Sequence, residues 1–166
     1  EAGTGVITMF MNTPFTGQEW TNWDDHVGNS GRPGHFGKYM SLRLPYLDQC
    51  ISALIEDIYR RDLQEKIMLV VMGEFGRTPR INKDNGRDHY PNVFSAAISG
   101  GGIQGGRVIG SSDAKGAFPQ NHPVTPQDVL ATLYRHLGVN VHKHYLDHAG
   151  RPIATLPSGR PIASLF

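Results

Sequence analysis

The sequence predicts an α/β fold, a mostly parallel sheet flanked by helices. Three observations point there. The run IMLVVM, Ile67 to Met72, is apolar at every position, as in a strand covered on both faces. Two stretches, one on each side of that run, repeat apolar residues at helical spacing. The order strand, helix, strand, loop, strand, helix is the one that packs helices over a parallel sheet.

Each element follows in order. Val6 to Asn12 (VITMFMN) reads as a buried strand. A polar, Gly-rich stretch runs from Thr13 to about Gly37. A helix is expected from about Tyr39 to Asp62, with Leu47, Ile51, Leu54, Ile55 and Ile58 as its apolar stripe. Pro45 marks a kink or a restart in its first half. Cys50 falls inside this pattern and is expected to pack in the core. Ile67 to Met72 is the second strand and Val93 to Ser99 the third. GGGIQGG turns into a short strand at Arg107 to Gly110. The second helix spans Pro126 to His136. Thr125 caps it, Pro126 takes its first position, and Asp128 sits where a carboxylate favours the helix dipole. Val129, Leu130, Leu133 and Leu137 form its buried side, and Gly138 ends it. The tail, from Leu146 on, repeats GRPIATL as GRPIASL and reads as a small terminal hairpin.

Composition narrows the function classes. The chain has 166 residues, enough for one domain spanning its whole length. Sixteen basic residues against 15 acidic ones leave it near neutral, which argues against a nucleic-acid binder. One Cys excludes an internal disulfide and a Cys-based zinc cluster. No stretch reaches the roughly 18 apolar residues of a membrane span. The opening EAGTGVITMF reads as a turn running into a strand, as in the middle of a longer protein.

Three constellations could carry chemistry. In Trp23-Asp24-Asp25-His26, an extended chain would point Asp24 and His26 to one side, where they could share a divalent cation. A turn-capping Asp beside a surface His is the plain alternative. Glu74 follows the apolar strand and could ligate a metal or pair with Arg77 or Arg80. In Gly86-Arg87-Asp88-His89, a tight turn could aim Asp88 and His89 inward, with Asp88 orienting the imidazole. Here the alternative is an Asx turn with a solvated His. Arg77, Arg80, Lys83 and Arg87 stand nearby, and Arg grips planar or tetrahedral oxyanions with paired hydrogen bonds. A solvated basic loop would look the same. The run from Val141 to His148 is His-rich, but it reads as a surface connector. Thr78 and Ser99 are hydroxyls without a visible activating partner. Neither a nucleophile elbow nor a P-loop is present.

Taken in order, WDDH, LPYLDQCISALIEDI, VVMGEFGRTPRIN, GRDHYPNVFSAAISGGGIQGG and VTPQDVLATLYRHLG resemble the bacterial sulfatase-like family called domain of unknown function 1501. The resemblance runs from about Val6 to the GRPI tail. It implies an alkaline phosphatase/sulfatase-like architecture and metal-dependent hydrolysis of phosphate or sulfate esters. The implied cofactor is a divalent metal: zinc, calcium, magnesium or manganese. Asp24 and His26 would match an Asp and a His of one metal site. Glu74 would stand where relatives place a strand-end Asp, and His89 would match a late His with Asp88 beside it. Arg77 and Arg87 would hold the anionic group. Phe75 departs from the superfamily pattern, where a second ligand often stands, and Asp25 replaces a small polar residue. In that superfamily the nucleophile comes from an N-terminal half, so this chain is expected to be a C-terminal portion, not a competent esterase by itself. A companion chain would then supply the missing strands. The implied partner is an anionic small-molecule or glycan ester, met in the periplasm or outside the cell. The alternative from another class is a non-catalytic anion- or glycan-binding scaffold.

Overall fold

The structure is a computed structural model that describes residues 3–11, 23 and 36–166. Helix α1 spans Phe36–Arg60 and carries Pro45 inside it. Strands β1 (Met68–Val71), β2 (Gly76–Arg77), β3 (His89–Tyr90) and β4 (Ala97–Gly100) follow. Then come β5 (Ser111–Ser112), β6 (Pro119–Asn121), helix α2 (Pro126–His136), β7 (His144–Leu146), β8 (Pro152–Ala154) and a final 3-10 turn, Ala163–Leu165.

The expected mostly parallel sheet is not there, and the alkaline phosphatase/sulfatase-like architecture falls with it. Among the described residues the strands form four two-stranded antiparallel sheets: β1 with β4, β2 with β3, β5 with β6, and β7 with β8. The physical reason lies between β1 and β4. A parallel return needs a crossover, usually a helix. The connection here holds the β2–β3 pair and no helix, so the chain doubles back and Met68 faces Gly100 in antiparallel register. An all-apolar run reports burial, not strand direction. Even the burial is partial, since Met68 to Val71 are all half-buried.

Two further expectations fail near the start of the chain. Val6 to Phe10 is an exposed, irregular segment rather than a buried strand; Phe10 is 88% exposed. Cys50 is exposed, not in the core. It lies about 100° round the helix from Ile51, off the line of Leu47, Ile51, Ile55 and Ile58. Of that line only Ile58 is buried.

The buried centre is small. Among the described residues it consists of Ile58, Val129 and Ala131 with two polar residues, Arg43 and Thr132. The turn after β4 is built on glycine. Gly100 has φ +74, and a Cβ there would lie 2.2 Å from the Ile67 carbonyl oxygen. Gly101 N donates to the Gln64 carbonyl across the same junction. The tail hairpin forms between the His-rich run and the first GRPI copy, as β7 against β8. The second copy instead crosses α2: Arg160 N donates to Asp128 Oδ1 at 2.8 Å and Ile162 N donates to Thr132 Oγ1 at 2.9 Å.

Helix α2 has the bounds that the sequence predicts. Thr125 and Asp128 cap each other: Asp128 N donates to Thr125 Oγ1, and Thr125 N donates to Asp128 Oδ2. The Arg160 amide and then the Thr125 hydroxyl and amide hold the Asp128 carboxyl below its ordinary pKa. A carboxyl with a lowered native pKa stabilises the fold above its unfolded value and loses that contribution as pH falls through the native one. Thr125→Ala is therefore expected to cost about 1 kcal/mol near neutral pH. Denaturant titrations of both proteins should show the difference shrinking at acid pH, once Asp128 is protonated. A constant difference down to acid pH would mean that the cap acts through packing alone.

Candidate functional site

The loop from Gly73 to Pro91 is a braced hairpin rather than a solvated excursion. Its strands β2 and β3 pair Arg77 opposite His89 and Gly76 opposite Tyr90. Beyond them, Thr78 N donates to the Asp88 carbonyl at 2.9 Å, and Asp88 N donates to Thr78 Oγ1 at 3.1 Å. Asn82 closes the tip. Its Oδ1 accepts from Asp84 N and Gly86 N, and its Nδ2 donates to Asp88 Oδ1 at 2.9 Å. An Asn whose side chain bonds the backbone ahead of it mimics a turn, and Asn85, at φ 61, completes this one. The Asx turn considered for the GRDH block is thus present, centred on Asn82.

Both candidate anion-binding arginines brace this hairpin. Arg87 Nη1 donates to the carbonyls of Thr78 and Pro79, at 2.7 and 2.8 Å. Arg77 Nη1 donates to the Arg87 carbonyl at 3.3 Å, and its Nη2 donates to the Trp23 carbonyl at 2.8 Å. Both residues are half-buried, whereas Arg80 and Lys83 are exposed. The Thr78 hydroxyl is also engaged, donating to the Arg80 carbonyl at 2.8 Å.

The candidate ligands lie on the outside of this frame. Glu74 is exposed in the bend between β1 and β2, and Asp88 and His89 are exposed on the opposite arm. The His89 ring leans on Phe75, with centroids 4.3 Å apart and planes tilted by 38°. The Arg77 guanidinium stands over the other partner in that stack, 5.7 Å from the Phe75 centroid. Asp24 and His26 lie outside the described residues, as does Asp25. Among the described residues no three His, Cys, Asp or Glu side chains come together in a way that could hold a metal ion. The fit to a metal therefore turns on Asp24 and His26.

Trp23 ties these pieces together. Its carbonyl takes the Arg77 bond, its Nε1 donates to the Met11 carbonyl, and its ring receives the Arg43 guanidinium at 5.9 Å. Arg43 is only 2% exposed. Sequence reasoning passed over Arg43 and Asn82. The signals were present: a charge enclosed by Leu42 and Leu44, and an Asn-Gly pair at 85–86, which favours tight turns.

A family model described as a protein of unknown function (DUF1501) matches residues 1–166. The chain belongs to that family. No curated protein and no solved structure matches it. Among the described residues of this DUF1501 chain, no helix is long and apolar enough to cross a membrane.

Proposed function

We propose that this chain takes part in metal-dependent hydrolysis of phosphate or sulfate esters. One observation carries the reading: the Arg77 bond to the Trp23 carbonyl joins the WDDH block to the hairpin that bears His89. Trp23 is one peptide bond from Asp24, so two sequence-distant donor groups share one anchor. Asp24 and His26 would supply ligands from one side, and Asp88, His89 and Glu74 from the other. Carboxylate and imidazole donors suit zinc or manganese, and carboxylates alone would favour magnesium or calcium. Such an ion, when bound, acts as a Lewis acid on the ester oxygen. The chain's own part is orientation: Asn82 fixes the Asp88 carboxylate and Phe75 fixes the plane of the His89 ring. A relation to the alkaline phosphatase-like superfamily belongs to the same proposal. It rests on the motif blocks and concerns chemistry only.

A specific observation favours a second reading, binding without turnover. Arg77 and Arg87 give donors to backbone carbonyls, and Phe75 covers one face of His89. The exposed Arg80 and Lys83 would then meet a sulfated or phosphorylated glycan, with binding that weakens in salt.

Metal content measured by elemental mass spectrometry separates the two. The first reading expects a divalent metal near one per chain, lost in His89→Ala while the far-UV spectrum is unchanged. Wild-type protein without metal, after exposure to zinc, manganese, magnesium and calcium in turn, would overturn it.

A further inference from the structure

The chain leaves too much surface uncovered for a molecule that works alone. It exposes 12125 Å², where a compact monomer of its 18.3 kDa would expose about 8,100 Å². The apolar share is concentrated in two places. One is the segment Val6–Phe10, where Val6, Ile7, Met9 and Phe10 are 68 to 88% exposed. The other is a groove of about 700 Å³ along α1, lined by Leu44, Pro45, Leu47, Ile51 and Ile55.

The two features match in length and chemistry. From Leu44 to Ile55 the helix advances about 17 Å. Val6 to Met11, laid out as a strand, also spans about 17 Å. The segment VITMFM carries no charge and is rich in residues that favour extended chain. Within one copy the two stay apart, because the groove is open while the segment is exposed. An exposed apolar strand is a template for pairing with another chain.

We propose that two copies of this chain pair by exchange, the Val6–Met11 segment of each lying in the α1 groove of the other. The exchange is reciprocal, so the assembly closes with two-fold symmetry and stops at a dimer. Both contacts are made twice, which doubles the area each copy covers. A standard interface takes about 800 Å² from each partner. The excess of about 4,000 Å² over a compact monomer is ample for that.

Light scattering on a sizing column, over a concentration series, tests the idea. The wild-type chain is expected at twice its 18.3 kDa mass. Ile7→Glu and Ile51→Glu should each weaken association by at least about tenfold, a buried charge being hard to offset. Ile7 is 75% exposed, so its variant should keep the helical far-UV spectrum even if the Ile51 variant does not. A mixture of the two variants should recover part of the dimer, since one strand and one groove remain intact. A wild-type chain of single mass at the highest concentration would overturn the proposal and hand these faces to a different polypeptide. A dimer indifferent to both substitutions would overturn it too.

Discussion

Gly76→Ala is expected to destabilise the protein by about 3 kcal/mol, by overpacking that only a backbone shift can relieve. The cause is a close crossing. A Cβ on Gly76 would lie 1.9 Å from the Val93 carbonyl oxygen and 3.0 Å from the Phe94 Cβ. Neither neighbour is the free end of a side chain. The strand pair must therefore open or the 93–94 segment must move away. Opening it undoes the register that sets Arg77 opposite His89. Gly105→Ala is the control, because nothing lies within 4 Å of a Cβ there. It should change stability by less than about 0.5 kcal/mol. Denaturation midpoints give the difference, and amide exchange locates it. Faster exchange at Thr78 and Asp88 in the Gly76 variant, with α2 unchanged, would place the damage in the hairpin. Equal midpoints for the two variants would show that the 93–94 segment yields freely.

What was legible in the sequence was local. Helix α2 could be bounded from Thr125, Pro126 and Asp128 because capping chemistry acts within one turn. The centre of α1 was legible for the same reason, by its period. Strand direction was not, because it depends on what the chain does between Val71 and Ala97, and apolar runs are silent on that. The buried side of α2 was misjudged by a fraction of a turn. Val129, Ala131 and Thr132 are buried, while Leu130 and Leu137 are exposed. Thr132 is inside because its hydroxyl donates to the Asp128 carbonyl and accepts from Ile162 N, a tertiary need that no period encodes. At the candidate site, the residue types around Gly73–Pro91 were read as ligands and anion binders. Their geometry gives Arg77 and Arg87 a second duty as braces, which composition could not reveal. The three-way junction at Trp23 joins residues 11, 43 and 77, and only folding makes them neighbours.

That junction sets the last expectation. Arg43→Ala should lower stability by roughly 2–4 kcal/mol, the range for emptying a buried, well-packed position. For a chain of this size, that is a melting temperature lower by about 4–16 °C. Two effects add. The aliphatic stem leaves a void beside the helix, and the Trp23 ring loses the cation at its face. The cation itself is worth about 2 kcal/mol at most in a desolvated setting, so the void carries the larger part. Arg43→Met keeps most of the stem and removes the charge, and should recover more than half of the loss. Arg43→Lys keeps charge and stem but loses the planar group, and should fall between. Trp23 reports directly. In a Trp20→Phe background it is the sole indole, and its emission should shift in Arg43→Ala and in Arg43→Met alike. Stability and emission therefore separate: one follows the volume at residue 43, the other the charge. If the Met variant melted as low as the Ala variant, the charge would outweigh packing. The helix would then be held to the hairpin by Arg43 over Trp23, and the anchor shared by Asp24 and His89 would depend on a single buried cation.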